Sequence, residues 1–427
     1  MAEKTVETRE SQDTKSDGKR TPSPGLVLVW SMGKPTLVPL RIDRETVIGR
    51  GSFAGALDLD DRVSRTHARI SEAMDLEDLG SRNGTLVNGE RVKNHKLEPG
   101  DVIRFGHTLV LVLADVTPFE TPRSMDADDA IVGPRLRPAW DVVVSAGQSE
   151  GSVLLLGESG SGKEVAARAF HAATGRSGSL VAVNCAAIPA GLAERLLFGT
   201  RKGAYSGADS DADGYVQAAH NGTLFLDEIA ELDAQVQAKL LRVLETKEVF
   251  ALGASKPKTV DVRICSATHK DLRTLVARGG FRQDLYYRIG RPEVRLPPLR
   301  ERKEEIPWLV AKVVAEAGVG AHVSLVEECM LRAWPGNVRE LLAEAKRAAA
   351  AAKATGATEA QQKHLADTAG MALEAAPPED AAKRAAPDDE AIKKALEAAG
   401  GNVTKAARDL GMHRTQLRRW IAKNKEP

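Results

Sequence analysis

Apolar residues come in short bursts from Gly25 to about Val116, in the runs "LVLVW", "TLVPLRI", "HARI", "LVNG", "VIRFG" and "TLVLVL". Gly, Asn, Asp and Pro interrupt them every several residues, a pattern that predicts a small all-β sandwich of alternating strands. From Ile131 the texture changes. "SVLLLG" and "GTLFLDE" are unbroken apolar runs closed by glycine or carboxylates, as buried parallel strands require. Helical spacing appears from Asp233 to Thr246, where Val236, Leu240, Val243 and Leu244 share one face. The pattern therefore predicts an α/β domain, with a helical part beginning near Lys303. Residues 388–427 carry three short helical patterns: "DEAIKKALEAAG" stopping at Gly400, "NVTKAARDLG" starting on Asn402, and "HRTQLRRWIAK".

These textures divide the 427 residues into a charged leader at 1–24, a sandwich at 25–117 and a linker at 118–130. An α/β subdomain at 131–302, a helical part at 303–350, an alanine- and charge-rich connector at 351–387 and the tail at 388–427 follow. Charge is balanced, with Lys+Arg 60 against Asp+Glu 59, so any nucleic-acid site must be a local patch. The cysteines, Cys185, Cys265 and Cys329, lie far apart and form no metal-ligand spacing, which fits a reducing cytoplasm. No apolar run approaches the roughly eighteen residues of a membrane span, and the leader lacks a signal-peptide core. The reading is a cytoplasmic protein without a membrane partner.

"GESGSGKE" follows the strand "SVLLL" and precedes the helical "VAARAFHAA". In that context Gly157, Glu158, Ser159, Gly160, Ser161, Gly162, Lys163 and Glu164 read as a phosphate-binding loop. Backbone amides would cradle the phosphates of ATP and Lys163 would reach the outer ones. Glu164 stands where the general motif has a hydroxyl ligand for Mg2+. Downstream, "GTLFLDEI" ends a strand in Asp227, which would hold magnesium, and Glu228, which would polarise the attacking water. "FRQDLYYRI" carries Arg282 and Arg288, which in a ring of subunits could reach a neighbour's γ-phosphate. "WPGNVRE" places Arg339 after a Pro–Gly turn at a helix start.

Eight segments in order resemble the AAA+ domain of bacterial sigma-54-dependent transcription activators, the enhancer-binding proteins. They are "GESGSGKE", "VAVNCAAIPAGL", "LFGTRKGAYSGA", "GTLFLDEIAEL", "QAKLLRVLE", "FRQDLYYRI", "RLPPLRERKEEIP" and "WPGNVREL". The resemblance implies a homo-oligomer, dimer to hexameric ring, that hydrolyses ATP to remodel closed complexes of sigma-54 RNA polymerase. It implies Asn184 as switch partner of Glu228, Arg282 and Arg288 as fingers, and Arg339 as second sensor. The family's Gly-Ala-Phe-Thr-Gly-Ala loop, which contacts the sigma factor, corresponds to Gly203, Ala204, Tyr205, Ser206, Gly207 and Ala208. Two other departures stand out. Thr200–Arg201 replaces the family's His–Glu, and His269 replaces the asparagine of the first sensor. A histidine there, differing in shape and charge, predicts slower hydrolysis.

In the front zone, "TVIGRG", "RVSRTHARI" and "LEDLGSRNGTLVNG" resemble the forkhead-associated (FHA) domain, a phosphothreonine-binding sandwich. A phosphate dianion needs guanidinium, hydroxyl and amide donors from converging loops. Arg50 and Ser64 would hold the phosphate, Arg65 and Arg82 would add charge, Asn83 would grip the peptide backbone, and His67 reads as structural. The tail resembles the Fis-type helix-turn-helix, with Ala406, Ala407, Leu410, Leu417 and Ile421 at core spacing. From Gly401 on, seven basic residues face two acidic ones, and Arg414, Thr415, Arg418 and Arg419 would face the major groove of enhancer DNA. The whole reads as a phosphothreonine-gated, ATP-driven activator taking signals from a phosphorylated partner of a Ser/Thr kinase. A DNA-bound repressor or scaffold that cannot remodel polymerase is the alternative.

Overall fold

The computed structural model describes residues 22–372 apart from 59, 122–124, 128–129, 150, 190 and 205–208. Beyond these it describes 389–399, 403, 406–407, 410, 412, 417 and 420–421. The chain divides into two units, Met1–Met371 and Ala372–Pro427.

The front of the first unit is a sandwich of two antiparallel sheets. The larger is built from β1 (Gly25–Ser31), β2 (Lys34–Arg41), β6 (Thr85–Val87), β7 (Glu90–Val92), β9 (Val102–Phe105) and β10 (Thr108–Leu113), in the order β2-β1-β10-β9-β6-β7. The smaller holds β3 (Thr46–Ile48), β4 (Ala68–Ile70), β5 (Asp75–Asp78) and β8 (Asn94–Lys96), in the order β3-β4-β5-β8. Leu26, Leu28, Ile103, Phe105, Val110 and Val112 point between the sheets with Ile48, Val63 and Ile70.

The opposite face of β1 and β10 would meet solvent in an isolated sandwich. Here it does not. Val27, Val29, Leu109, Leu111 and Leu113 join a different core, shared with the helical part of the next domain. Each such Val or Leu contributes roughly 1.5–3 kcal/mol when buried, so a two-faced apolar strand in an antiparallel sheet needs a second layer to cover it.

A hairpin, β11 (Asp126–Ala127) and β12 (Ala130–Ile131), leads to α1 (Arg137–Gln148). The α/β subdomain continues through β13 (Val153–Leu156), α2 (Lys163–Ala173), β14 (Leu180–Asn184), α3 (Ala193–Phe198), α4 (Tyr215–Ala218), β15 (Thr223–Asp227) and α5 (Ala234–Thr246). It closes with a short pair, β16 (Glu248–Val249) and β17 (Lys258–Thr259), then β18 (Arg263–Thr268), α6 (Leu272–Ala277), α7 (Gln283–Ile289) and β19 (Glu293–Arg295). Its five-stranded sheet is parallel throughout, in the order β14-β15-β18-β13-β19. The predicted amphipathic helix is α5: Asp233 caps it by accepting from the Val236 amide, and Val236, Leu240 and Val243 are buried.

The helical lid comprises α8 (Ile306–Glu316), β20 (Gly320–Ala321), α9 (Val323–Leu331), α10 (Asn337–Ala354) and β21 (Glu359–Ala360). Two boundaries differ from the sequence expectation. The linker expected at 118–130 is packed: Phe119 and Met125 are buried in the shared core. The connector expected at 351–387 belongs to the lid as far as it is described before 373. There Ala352, Ala360, Leu365 and Ala369 are buried, and β21 pairs in parallel with β20. In its later turns α10 buries Ala345, Ala348, Ala349 and Ala352, small residues whose burial leaves no strong hydropathy period.

In the second unit α11 (Asp389–Ala398) packs its Ile392 with Ala406, Ala407 and Leu417, and Leu410 and Ile421 lie against that cluster. All of these but Ile392 are the core positions read from the sequence.

Candidate ATP site and phosphopeptide loops

Strand β13 delivers the chain to the loop 157–164 at the carboxyl edge of the sheet, where open α/β sheets bind ligands. Gly160 and Gly162 adopt φ of +73° and +103°, and a Cβ on Gly160 would stand 2.2 Å from the Gly336 carbonyl oxygen. Lys163 Nζ donates to the carbonyls of Gly157 (2.9 Å) and Glu158 (3.2 Å) and lies 3.7 Å from Glu228 Oε1. The Ser161 hydroxyl is buried with no hydrogen-bond partner, a donor free for a phosphate oxygen. The Glu158 and Glu164 side chains are engaged elsewhere. Glu158 is clamped by both Arg300 nitrogens (2.8 and 2.7 Å), and Glu164 pairs with Arg168 on the surface.

Strand β15 ends at Asp227, one oxygen of which accepts the Glu228 amide at 3.1 Å. Burial pushes the Asp227 carboxyl up, while the Lys163 ammonium draws it back. One strand-end carboxylate, with no hydroxyl after Lys163, fits a hard dication that takes its remaining oxygens from phosphate and water. Glu228 sits at φ +51°, a left-handed conformation that a non-glycine residue holds only where its surroundings enforce it. Its Oε2 is held by His269 Nδ1 (2.8 Å), the His269 amide (3.3 Å) and the Thr268 hydroxyl (3.3 Å). Because an ionised carboxylate only accepts, Nδ1 carries the proton in this contact. Asn184 is not Glu228's partner here: it pairs in register with Asp227, and its side chain caps the Ala186 amide at 3.0 Å.

The lid closes over the loop with more side chains than the sequence reading assigned. Arg339 donates to the Ser159 hydroxyl (3.2 Å), and Arg302 to the Ser161 carbonyl (2.6 Å). Buried Asn337 donates to Ser159 O (3.0 Å) and Glu158 Oε2 (3.1 Å). Arg300, Arg302 and Asn337 stood in recognised segments, "PPLRER" and "WPGN", but their type alone did not single them out. Beside the loop lies a largely apolar cavity of about 250 Å³ lined by Ile131, Leu136, Gly162, Leu296, Leu309 and Leu342 among others. It offers a base-sized apolar slot next to the phosphate cradle.

The front sandwich gathers its predicted residues on loops between strands of the smaller sheet and β6. The Arg50 amide donates to Ser64 O (3.2 Å), the Arg82 amide to Ser64 Oγ (3.2 Å), and Asn83 Nδ2 to Arg62 O (2.7 Å). Arg50, Arg65 and Arg82 are exposed, and the Arg50 guanidinium is spent on the carbonyls of Val63 (2.8 Å) and Asp61 (3.2 Å). His67 is fully buried and accepts the Ser64 amide, the structural part expected of it. Gly49 allows the close pass: a Cβ there would meet the Arg65 carbonyl oxygen at 2.0 Å.

The FHA domain pattern matches residues 46–106, the Sigma-54 interaction domain pattern residues 133–295, and the pattern of bacterial regulatory proteins of the Fis family residues 388–423. The transcriptional regulatory protein ZraR of Klebsiella oxytoca is 38% identical over 337 residues, 76% of this chain and 76% of that relative. The chain belongs to the sigma-54-dependent transcriptional regulators. GlrR of Escherichia coli strain K12 is also 38% identical, over 65% of this chain and 63% of its own length. Among solved structures, NtrX from Brucella abortus in complex with ATP is 28% identical, with a TM-score of 0.51 over 71% of each chain. The central domain is thus the AAA+ ATPase of a sigma-54-dependent regulator, preceded by an FHA domain and followed by a Fis-type DNA-binding domain.

Within that regulator, the base of the 200–212 loop explains the Thr200–Arg201 departure. Buried Thr200 exchanges backbone hydrogen bonds with Ala212 (2.8 and 2.9 Å), and the Arg201 amide donates to Leu252 O (2.9 Å). The Arg201 guanidinium pairs with Asp211 at 2.5 Å and the Lys202 amide reaches the same carboxylate at 2.8 Å, so the loop's two limbs are stapled together. Gly203 and Ala204 lead out of that base; Tyr205, Ser206, Gly207 and Ala208 lie outside the described residues. Arg282 and Arg288 are not part of the chain's own ATP site. Arg282 is paired with Asp284 (2.7 Å), and Arg288 donates to Leu244 O (3.0 Å) by Ser152, at the edge of the sheet away from the phosphate loop. In the tail, Arg414, Thr415, Arg418 and Arg419 also lie outside the described residues. Among the described residues no helix is long and apolar enough to cross a membrane.

Proposed function

We propose that this regulator, a cytoplasmic protein, binds enhancer DNA through its tail, assembles into a ring and couples ATP hydrolysis to remodelling of sigma-54 RNA polymerase closed complexes. Recognition of a phosphothreonine partner by the FHA loops controls it. The observation that carries this reading is the meeting of Lys163, Asp227 and Glu228 at one sheet edge, under a lid whose Arg339 touches the phosphate loop. Lys163 and the loop amides bind the triphosphate, and Asp227 would hold a magnesium ion that neutralises charge on it. Glu228 orients the attacking water and takes its proton. Arg282 and Arg288, exposed and away from their own site, act on a neighbour's nucleotide in the ring. The loop 203–208, which lies in sequence between the stapled residues Arg201 and Asp211, carries the stroke to the sigma factor. Arg50, Ser64, Arg65, Arg82 and Asn83 receive the phosphothreonine segment.

One observation favours a second reading, a DNA-bound repressor or scaffold: His269 already occupies the Glu228 carboxylate. Promoter opening by sigma-54 polymerase, measured with the full chain and ATP with and without a phosphothreonine peptide, separates the two. The first reading predicts opening that the peptide changes. DNA binding that blocks transcription without any opening supports the second.

A further inference from the structure

The FHA domain is not tethered beside the ATPase; it lies on it. The outer faces of β1 and β10 share one core with Ile306, Leu309, Val310 and Val314 of α8 and Val323 and Val326 of α9, with α8 lying against β2 and α9 against β9 and β10. Arg104 of β9 reaches Glu327 of α9 at 3.0 Å, a pair largely withdrawn from solvent. Lys303 Nζ, mostly buried, donates to the Gly100 carbonyl in an FHA turn at 2.9 Å.

Lys303 stands in a segment that touches both walls of the nucleotide cavity. Its neighbour Arg302 holds the phosphate loop at Ser161 O (2.6 Å) and pairs with Glu305 at 2.6 Å. Glu305 accepts the Gly133 amide (2.7 Å) and Glu304 the Arg135 amide (3.2 Å), fixing the chain that enters the cavity after β12. A second strap comes from Phe119, Met125 and Ile131, which lie between the sandwich and the α/β subdomain along the chain and are buried within the same core. The FHA domain therefore grips the lid through α8, α9 and Lys303, and the α/β subdomain through that strap.

We propose that the docked FHA domain is a brace across the two ATPase subdomains, restraining the lid and thereby slowing nucleotide release and turnover. A lid that must swing to release product is slowed by any contact that spans the hinge. Where the docked state also binds nucleotide more tightly, linkage is reciprocal: undocking the FHA domain weakens nucleotide binding, and loss of nucleotide weakens docking. The inference rests on the ATPase assignment, and on nothing about what the FHA loops bind.

The test uses the full chain with three variants: Arg104→Glu, which opposes Glu327 with a second carboxylate, Arg104→Glu/Glu327→Arg, which restores the pair reversed, and Lys303→Met, which removes only the grip on Gly100. Dissociation of a fluorescent ATP analogue is read apart from hydrolysis, so a chain that binds ATP without hydrolysing it still tests the brace. Arg104→Glu and Lys303→Met are expected to raise the dissociation rate and steady-state turnover about threefold or more, and the reversed pair to return both toward the parent values. Rates unchanged or lowered in Lys303→Met and in whichever Arg104 variants fold overturn the proposal.

Discussion

Strands β1 and β15 look alike as sequence, "GLVLVWS" and "TLFLD", and both are buried on both faces. They are buried for different reasons. β15 lies inside a parallel sheet whose own helices cover both sides, and its apolar run ends in the two carboxylates of the ATP site. β1 lies in an antiparallel sheet whose own sandwich covers one side only; the lid of another domain covers the other. A continuous apolar run thus marks an active-site strand in one place and a docking face in the other. What distinguishes them is the sheet each belongs to.

The contrast can be broken first at the chemical end. Glu228→Gln should cut ATP turnover at least about a hundredfold, the usual scale for losing a general base, with ATP binding retained. Steady-state hydrolysis beside an equilibrium binding assay reads both, and near-parental turnover would remove Glu228 from its role. Next, if the outer face of β10 is truly core, Leu111→Ala should cost about as much stability as Leu155→Ala in β13, roughly 2–5 kcal/mol each. Urea unfolding, followed at each domain's own transition, makes the comparison. A cost for Leu111→Ala well under about 1 kcal/mol would mean the face is not covered.

Glu304 lies where the two regions meet. Burial pushes its carboxyl up to about 7, and its Oε2 has no partner. A carboxyl raised in the folded state contributes stability that is whole below its unfolded value near 4.5 and lost as pH rises through about 7. Glu304→Gln should therefore leave Tm nearly unchanged at pH 5 and raise it at pH 8, by a stabilisation on the order of 1–3 kcal/mol. Equal shifts at both pH values would contradict that titration. The smallest effect is at the sensor. His269→Asn should free Glu228 and raise steady-state turnover about two- to fivefold, within the range of one altered hydrogen bond to a charged group. An unchanged or lower rate would show that the His269 contact does not restrain hydrolysis.

Three domains and the candidate residues of the ATP site stood out in the sequence because each is announced by backbone demands or by charge at a strand end. Gly160 and Gly162 are required by a left-handed loop, and Asp227–Glu228 closes an apolar run. The docking of the FHA domain was in the sequence too, in "LVLVW" and "TLVLVL", but those runs read as ordinary sandwich strands unless both faces are counted. The end of the lid was hidden for another reason. Its buried face is alanine, which packs closely without marking a period, so 351–371 resembled a connector. Arg300, Arg302 and Asn337 escaped because their work is to hold another segment's backbone or carboxylate. Such contacts span well over a hundred positions in all three cases, and most of all in Asn337 to Glu158. Only the fold brings them together.

The central claim is that hydrolysis at Glu228 drives promoter opening. Melting of a sigma-54 promoter, read by permanganate reactivity of unpaired thymines with ATP and polymerase, tests it with the parent chain and Glu228→Gln side by side. The account predicts melting with the parent chain and none with Glu228→Gln, although both bind ATP and enhancer DNA. A parent chain that hydrolyses ATP while the promoter stays closed would contradict it.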